Sequence, residues 1–377
     1  MNIGIITHNF PFSLKDRQNA GIFVNDIAQE LAIKNRVTVF SPAEEGRGNR
    51  VGGVKIVNFP TIKGKKLGDF KFWNPIDAVR FFSLFIGGFL KLSGFIKKNK
   101  IDVNVVMWAF PSGVFSYFAK KIYKIPYVTW CLGSDIYVYG KLPLIKYVVR
   151  AILRSSDFVF ADGIDLAKEV ESISGRKCIF IPSASKAKFK RGHIKREKGV
   201  ISLAFVGRME SIKGPDIFLE ALGLIGEDLS KFKAYFIGDG SLLETLKKKV
   251  KDMHLDKQIV FYGNIDDFQR ISDVTRVTDW LVIPSRSDSI PLVFSEAMKC
   301  ATPVVTSDLP DLKYLIEKYK VGYLFNKGDF RSLASIIRRL PDSDKERNMF
   351  SKNTKLAAIN FSIEKSSERL MSYLNKL

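Results

Sequence analysis

Arg208 and Lys213 stand five residues apart in Gly207-Arg208-Met209-Glu210-Ser211-Ile212-Lys213-Gly214, directly behind an apolar run. A planar guanidinium fork and a point-charge ammonium on one short loop can together neutralise a diphosphate. Glycine at a strand end lets the backbone approach a ligand closely, the role open to Gly207. The bland alternative is two solvated cations beside a strand-to-helix turn.

A second stretch, Ile283-Pro284-Ser285-Arg286-Ser287-Asp288-Ser289-Ile290-Pro291-Leu292-Val293-Phe294-Ser295-Glu296, reads as strand, loop and helix, with Pro291 suited to the first helical position. Such a helix start turns the free N–H groups of Ile290, Leu292 and Val293, and the positive end of the dipole, toward a phosphate. Glu296, one turn in, can accept both hydroxyls of a ribose. Asp288, just outside, can accept hydroxyls of a sugar attached to the phosphate. Equally, Glu296 can merely complement the dipole and Asp288 merely open a turn.

Other signals are weaker. Gly238-Asp239-Gly240 is a fragment of a phosphate loop or a tight strand-to-helix turn. Asp342-Ser343-Asp344 follows Pro341 between two helical patterns and reads as a solvated turn. Three cysteines (Cys131, Cys178, Cys300) and three histidines (His8, His193, His254) share no close spacing, which argues against a disulfide framework or a metal centre and fits a reducing cytoplasm.

The elements that must hold these residues alternate along the whole chain. Nearly continuous apolar runs at 2–8, 36–42, 54–60, 103–110, 127–133, 157–162 and 177–182 have the pattern of parallel strands buried on both faces. The alternation stops at 186–199, KAKFKRGHIKREKG, and resumes with runs at 200–207, 232–238, 258–263, 279–285 and 303–307. Two doubly wound α/β domains are expected, 1–185 and 200–360, joined by a 186–199 linker, with a final helix over 361–377. Ligands of such sheets bind beyond the carboxyl ends of the strands, where the motifs above lie.

With 60 Lys+Arg against 39 Asp+Glu the chain carries +21, so an anionic partner is expected. Lys63, Lys65, Lys66 and Lys71 surround Phe70, Phe72 and Trp73. Lys146, Arg150 and Arg154 recur at helical spacing in a segment, 136–156, without an acidic residue. A basic face beside apolar and aromatic residues suits an anionic membrane surface, the alternative being a solvated helix face. No nucleic-acid motif accompanies the charge. The apolar stretch 81–95 contains Lys91 and falls short of the ~20 residues that span a bilayer, and the opening MNIGIITHNF lacks the basic region of a signal peptide.

Gly207-Arg208-Met209, Lys213-Gly214, Pro284-Ser285, and Asp288 spaced eight from Glu296-Ala297-Met298 together resemble glycosyltransferase family 4, whose acids follow the pattern E-x7-E; here the first acid is aspartate. Asn19-Ala20-Gly21 resembles the family's N-terminal glycine loop, and Leu132-Gly133-Ser134-Asp135-Ile136 its His-Gly-Ser-Asp-Ile segment. The resemblance implies a GT-B fold, two Rossmann-like domains facing across a cleft, and a retaining transfer from a nucleotide-diphosphate sugar. It implies that Arg208 and Lys213 stabilise the leaving diphosphate in place of a metal, with no other cofactor. Asp288 then orients the donor sugar, Glu296 the ribose, and Gly238 and Asn264 lie against the nucleotide, while Gly21 lets the first domain close over the phosphates. The acceptor is expected on the first domain near Asp135, as a lipid-linked or oligosaccharide molecule at the inner face of the cell membrane, and the final helix is expected to cross back to that domain. The chain departs from the family at Leu132, in place of the histidine, at Ser183-Ala184 and at Tyr314. A GT-B epimerase and a binding-only accessory protein are the alternatives.

Overall fold

The computed structural model describes residues 1–11, 21–43, 48–62, 74–184, 186, 199–263, 275 and 278–377. The chain divides into two compact units, Met1–Pro182 with Ser366–Leu377, and Ser183–Lys365.

The first unit holds β1 (Asn2–Ile6), β2 (Arg36–Pro42), β3 (Arg50–Val51), β4 (Val54–Phe59), β5 (Val103–Met107), β6 (Tyr127–Cys131), β7 (Phe158–Ala161) and β8 (Cys178–Phe180). They form one sheet in the order β3-β4-β2-β1-β5-β6-β7-β8, parallel except for the β3–β4 hairpin. Because helices cover both faces, β5 and β6 are buried at every residue, which is why their sequences are continuous apolar runs. Phe40, Phe59, Phe95 and Phe115 fill the space between the sheet and the helix Pro75–Asn99. That helix is begun by Asn74, whose side chain accepts from the N–H groups of Ile76 and Asp77. The apolar stretch at 81–95 is thus the middle of a 25-residue helix, long and apolar enough to cross a membrane by length and composition.

Residues 366–377 fold with this unit. Ser366 donates to the carbonyl of Pro182 at 2.9 Å, and the Tyr373 ring packs on Phe158 and Phe160 with centroids 5.1 and 5.4 Å away.

The second unit is a six-stranded parallel sheet of β9 (Ile201–Val206), β10 (Phe232–Ile237), β11 (Ile259–Gly263), β12 (Trp280–Ile283), β13 (Val304–Ser307) and β14 (Gly322–Phe325). The order is β11-β10-β9-β12-β13-β14, so the winding reverses between β9 and β12. A crevice opens at such a switch point beyond the carboxyl ends of the two strands. Both motifs singled out in the sequence leave from those two ends.

Candidate active site

The loop after β9 lies directly on the end of β12. Gly214 sits at φ +70°, and a Cβ there would fall 2.0 Å from the carbonyl oxygen of Pro284, so only glycine allows the approach. Lys213, one residue earlier, thereby reaches the second loop. Its Nζ is 2.7 Å from both carboxylate oxygens of Asp288, with the two side chains 22 % and 16 % exposed. The two sequence motifs converge on one ion pair.

Arg286 and Asp216, which the sequence reading passed over, lock this arrangement. Arg286 donates its backbone N–H to Ile212 O at 2.8 Å and one guanidinium nitrogen to Ser211 O at 2.6 Å. The guanidinium also grips both oxygens of Asp216, at 2.8 and 2.6 Å. Partial burial pushes the Asp216 carboxyl up, but the guanidinium more than offsets this and holds it below the ordinary carboxylate range. Adjacency of Arg286 to the strand end Ser285, and of Asp216 to Gly214-Pro215, was the available signal; their pairing needed the fold.

The turn after β10 completes the strand ends. Gly238 is at φ +134°, where a Cβ would lie 1.9 Å from Gly207 O. The Glu210 carboxylate accepts from the backbone N–H and hydroxyl of Ser241 at 3.0 and 2.6 Å, and those two bonds lower its pKa. The backbone bonds Met209 N–H to Asp239 O and Leu242 N–H to Met209 O tie the same two loops. Gly238 is therefore a packing residue of a tight turn. Gly207 differs: a Cβ there meets only the Phe205 ring, at 3.4 Å. Arg208 is exposed, and its side chain makes no hydrogen bond or ion pair with the described residues.

The helix start is displaced by one residue from expectation. Pro291, at φ −67° and ψ 143°, is the residue before the helix Leu292–Cys300 and not its first. Ile290 consequently precedes the helix and is buried, so its N–H is not one of the first-turn groups; Leu292 and Val293 are the first two. Glu296 lies in the second turn, half-buried. Asn264 lies outside the described residues, as do Lys63–Trp73 and most of 186–199. Asp342-Ser343-Asp344 joins a short 3-10 turn to the helix Asp344–Ala357, and Asp344 pairs with Arg347 at 2.8 Å.

In the first unit the candidates take different roles. Gly21 caps the helix Ile22–Leu31, and a Cβ there would lie 2.7 Å from Asn9 O, so it holds the loop after β1 against the helix. Asp135 is fully buried and not available on the surface as an acceptor contact. Its carboxylate accepts from Ala109 N–H at 2.7 Å and Leu132 N–H at 3.2 Å, bracing the loops after β5 and β6. Burial raises its pKa to about 6 despite those bonds. His8, at the end of β1, packs edge-on against Trp108 and shares a hydrogen bond with the Ser112 hydroxyl at 3.0 Å; burial lowers its pKa to about 4. Lys146 and Arg150 are exposed on the helix Ile145–Ser155. Arg154 is exposed on the same helix, and its Nε donates to Ser174 O at 3.0 Å across the end of the next helix.

Residues 186–357 match the sequence model of the family described as "Glycosyl transferases group 1". Over 272 residues the chain is 26 % identical to the N-acetyl-alpha-D-glucosaminyl L-malate synthase of Bacillus anthracis, covering 69 % of this chain and 70 % of that protein. It is 28 % identical over 216 residues to the UDP-Gal:alpha-D-GlcNAc-diphosphoundecaprenol alpha-1,3-galactosyltransferase of Escherichia coli, covering 56 % of this chain and 52 % of that one. Among solved structures, the sucrose-phosphate synthase of Thermosynechococcus elongatus superposes with a TM-score of 0.82 at 16 % identity, covering 100 % of this chain and 98 % of that one. At that identity the likeness is one of fold.

Proposed function

We propose, from the match of residues 186–357 to the group 1 glycosyl transferases and the fold shared with known glycosyltransferases, that this glycosyltransferase moves a hexosyl group from a nucleotide-diphosphate sugar with retention of configuration. The bond from the anomeric carbon to the diphosphate breaks, a bond to an acceptor hydroxyl oxygen forms on the same face of the sugar, and that hydroxyl's proton passes to the departing diphosphate. Negative charge then grows on the departing diphosphate. Arg208, Lys213 and the first-turn N–H groups of Leu292 and Val293 meet that charge, in the manner of donors fixed in advance around a developing anion. Asp288 orients the donor sugar and Glu296 holds the ribose.

The observation that carries this reading is the Lys213–Asp288 pair. A phosphate-binding cation and a sugar-binding acid on separate loops are brought within one hydrogen bond of each other at the switch point of the sheet. Lys213 is held ready by Asp288, and an arriving diphosphate exchanges with that carboxylate for its ammonium. Gly207 supports the same reading, because the fold itself has room for a side chain there.

The positive charge is supplied by side chains and a helix start, so no metal is required. Purified protein should transfer sugar in excess EDTA. Complete loss on chelation, restored by Mg²⁺ or Mn²⁺, overturns the metal-free assignment. For the acceptor we propose a lipid-linked or oligosaccharide molecule at the inner face of the cell membrane. Exposed Lys146 and Arg150, beside Leu144 and Tyr147 at 82 % and 61 % exposure, support a peripheral membrane position of a cytoplasmic protein. The Escherichia coli relative is named for a diphosphoundecaprenol-linked acceptor.

A further inference from the structure

The helix Pro75–Asn99 is apolar on both sides. Inward, Leu84, Leu92, Phe95 and Ile96 are buried in the core with Phe40, Phe59 and Phe115. Outward, Ile76, Val79, Phe82 and Ile86 follow one another at spacings of three and four, Phe89 and Leu90 lie three and four beyond Ile86, and all six are 39 to 74 % exposed. A surface helix of a globular protein ordinarily carries polar residues there. The face continues on the neighbouring helix Gly113–Tyr123, where Phe118 and Ile122 are 42 % and 62 % exposed. Phe118 meets Phe89 edge to face, centroids 5.2 Å apart, which makes the two helices one surface. Contiguous exposed apolar area of this kind marks an interaction site.

The charges around the face select the partner. Lys91, Lys97, Lys98, Lys121 and Lys124 are exposed at its margin. Lys97 and Lys121 lie over the rings of Tyr123 and Tyr117, 5.9 and 5.7 Å from the centroids. From Ala78 to Ser134 the sequence contains a single acidic residue, Asp102, and that one accepts two hydrogen bonds from Asn2. An apolar strip framed by cations, with long side chains that reach outward, is complementary to a bilayer with anionic headgroups.

We infer that this face seats in the interface of an anionic bilayer, with Pro75–Asn99, about 37 Å long, lying in the membrane plane. The helix lies on the bilayer and does not cross it, because crossing would draw Leu92, Phe95 and Ile96 out of the core. The inference rests on the membrane-side acceptor proposed above and adds a larger apolar strip to the one that Leu144 and Tyr147 form beside Lys146 and Arg150.

The test uses flotation of the full chain with vesicles of phosphatidylcholine alone or mixed with phosphatidylglycerol. Wild type should partition onto the mixed vesicles at least ten-fold more. The triple change Phe82→Ser, Ile86→Ser, Leu90→Ser should lower that partition about ten-fold or more while leaving the thermal shift by nucleotide unchanged, since all three side chains point outward. The three native cysteines are buried, so an environment-sensitive fluorophore on Ile86→Cys should shift to the blue with mixed vesicles only. An unshifted probe, or a triple variant that floats like wild type, overturns the inference. If that variant floats normally but Lys146→Glu with Arg150→Glu does not, the membrane reading stands and this face is wrong. If wild type floats with neither vesicle, both fail. A vesicle-free dimer that the triple change dissolves assigns the face to a second copy and likewise overturns the proposal.

Discussion

Lys213 Nζ is equidistant, at 2.7 Å, from the two carboxylate oxygens of Asp288, on loops 75 residues apart in sequence. At under a quarter exposure each charge satisfies the other's need for a partner. In the proposed reaction the pair separates: the ammonium turns to the diphosphate when donor binds, and the carboxylate is then free for the sugar.

Replacing Lys213 with alanine should therefore act on two quantities. Turnover should fall ~100-fold or more, as when a donor aimed at developing charge is removed. Stability should fall by ~1–3 kcal/mol, because Asp288 is left partly buried and unpaired. Asp288→Asn on the Lys213→Ala background should recover the stability and none of the turnover. Equal recovery of both would reduce Lys213 to a structural partner of Asp288. Arg208→Ala, which strands no hydrogen-bonded or ion-paired partner among the described residues, should lose turnover without losing stability. Glu296→Ala should chiefly raise the donor KM, since a ribose is held equally in ground and transition states.

The Arg286–Asp216 clamp should be detectable through Lys213. Neither residue lies on the proposed path of the donor charge, yet together they fix the loop Ser211–Gly214 against β12. Arg286→Lys keeps the charge but cannot span two oxygens and a carbonyl. It should lower kcat/KM by roughly ten-fold and stability by ~1–3 kcal/mol, as for hydrogen bonds to charged groups. Unchanged kinetics beside a reduced melting temperature would make the clamp purely structural.

Much of this was legible before any coordinates. The twelve apolar runs all became strands, because a parallel sheet covered on both faces demands uninterrupted apolar residues. β14, Gly322–Phe325, escaped notice because four residues beginning with glycine barely register as a run. β3 is only Arg50–Val51, added by hairpin to the edge. At the site, residue types announced Arg208, Lys213 and Asp288, but no spacing rule announces that Arg286 grips Asp216, since that pairing depends on how β9 and β12 lie side by side. Asp135 is a related case: the resemblance places the acceptor near it, while the N–H groups of Ala109 and Leu132 that hold its carboxylate inside are brought together only by the fold.

Two glycines separate the needs of the fold from those of a ligand. At Gly238 an added Cβ would lie 1.9 Å from a backbone carbonyl in a backbone conformation that side chains rarely adopt, so Gly238→Ala should cost several kcal/mol and show as a large drop in urea midpoint. Gly207→Ala meets only the edge of Phe205. It should keep wild-type stability within ~1 kcal/mol and yet weaken donor binding, read by nucleotide-induced thermal shift. Normal donor binding by that variant would place the diphosphate away from the end of β9.

The last prediction concerns pH, through two groups of opposite sign in the first unit, half-buried His8 and fully buried Asp135. His8 has its pKa lowered to about 4 by burial, facing Trp108 and the Ser112 hydroxyl. Its contribution is present above the unfolded value of 6.5 and is lost as pH falls toward 4, because only the unfolded chain takes up the proton over that range. Asp135 has its pKa raised to about 6 by burial. Its contribution is present below the unfolded value near 4 and is lost as pH rises through 6. Between pH 4 and 6 the two oppose each other with similar weight, ~3 kcal/mol each at most. His8→Gln, which cannot titrate, removes one side of the balance. Relative to wild type, this variant should become progressively more stable as pH falls from 7 to 4, by up to ~3 kcal/mol in urea unfolding. A difference between variant and wild type that is flat across that range would mean that His8 titrates in the folded chain as it does in the unfolded one.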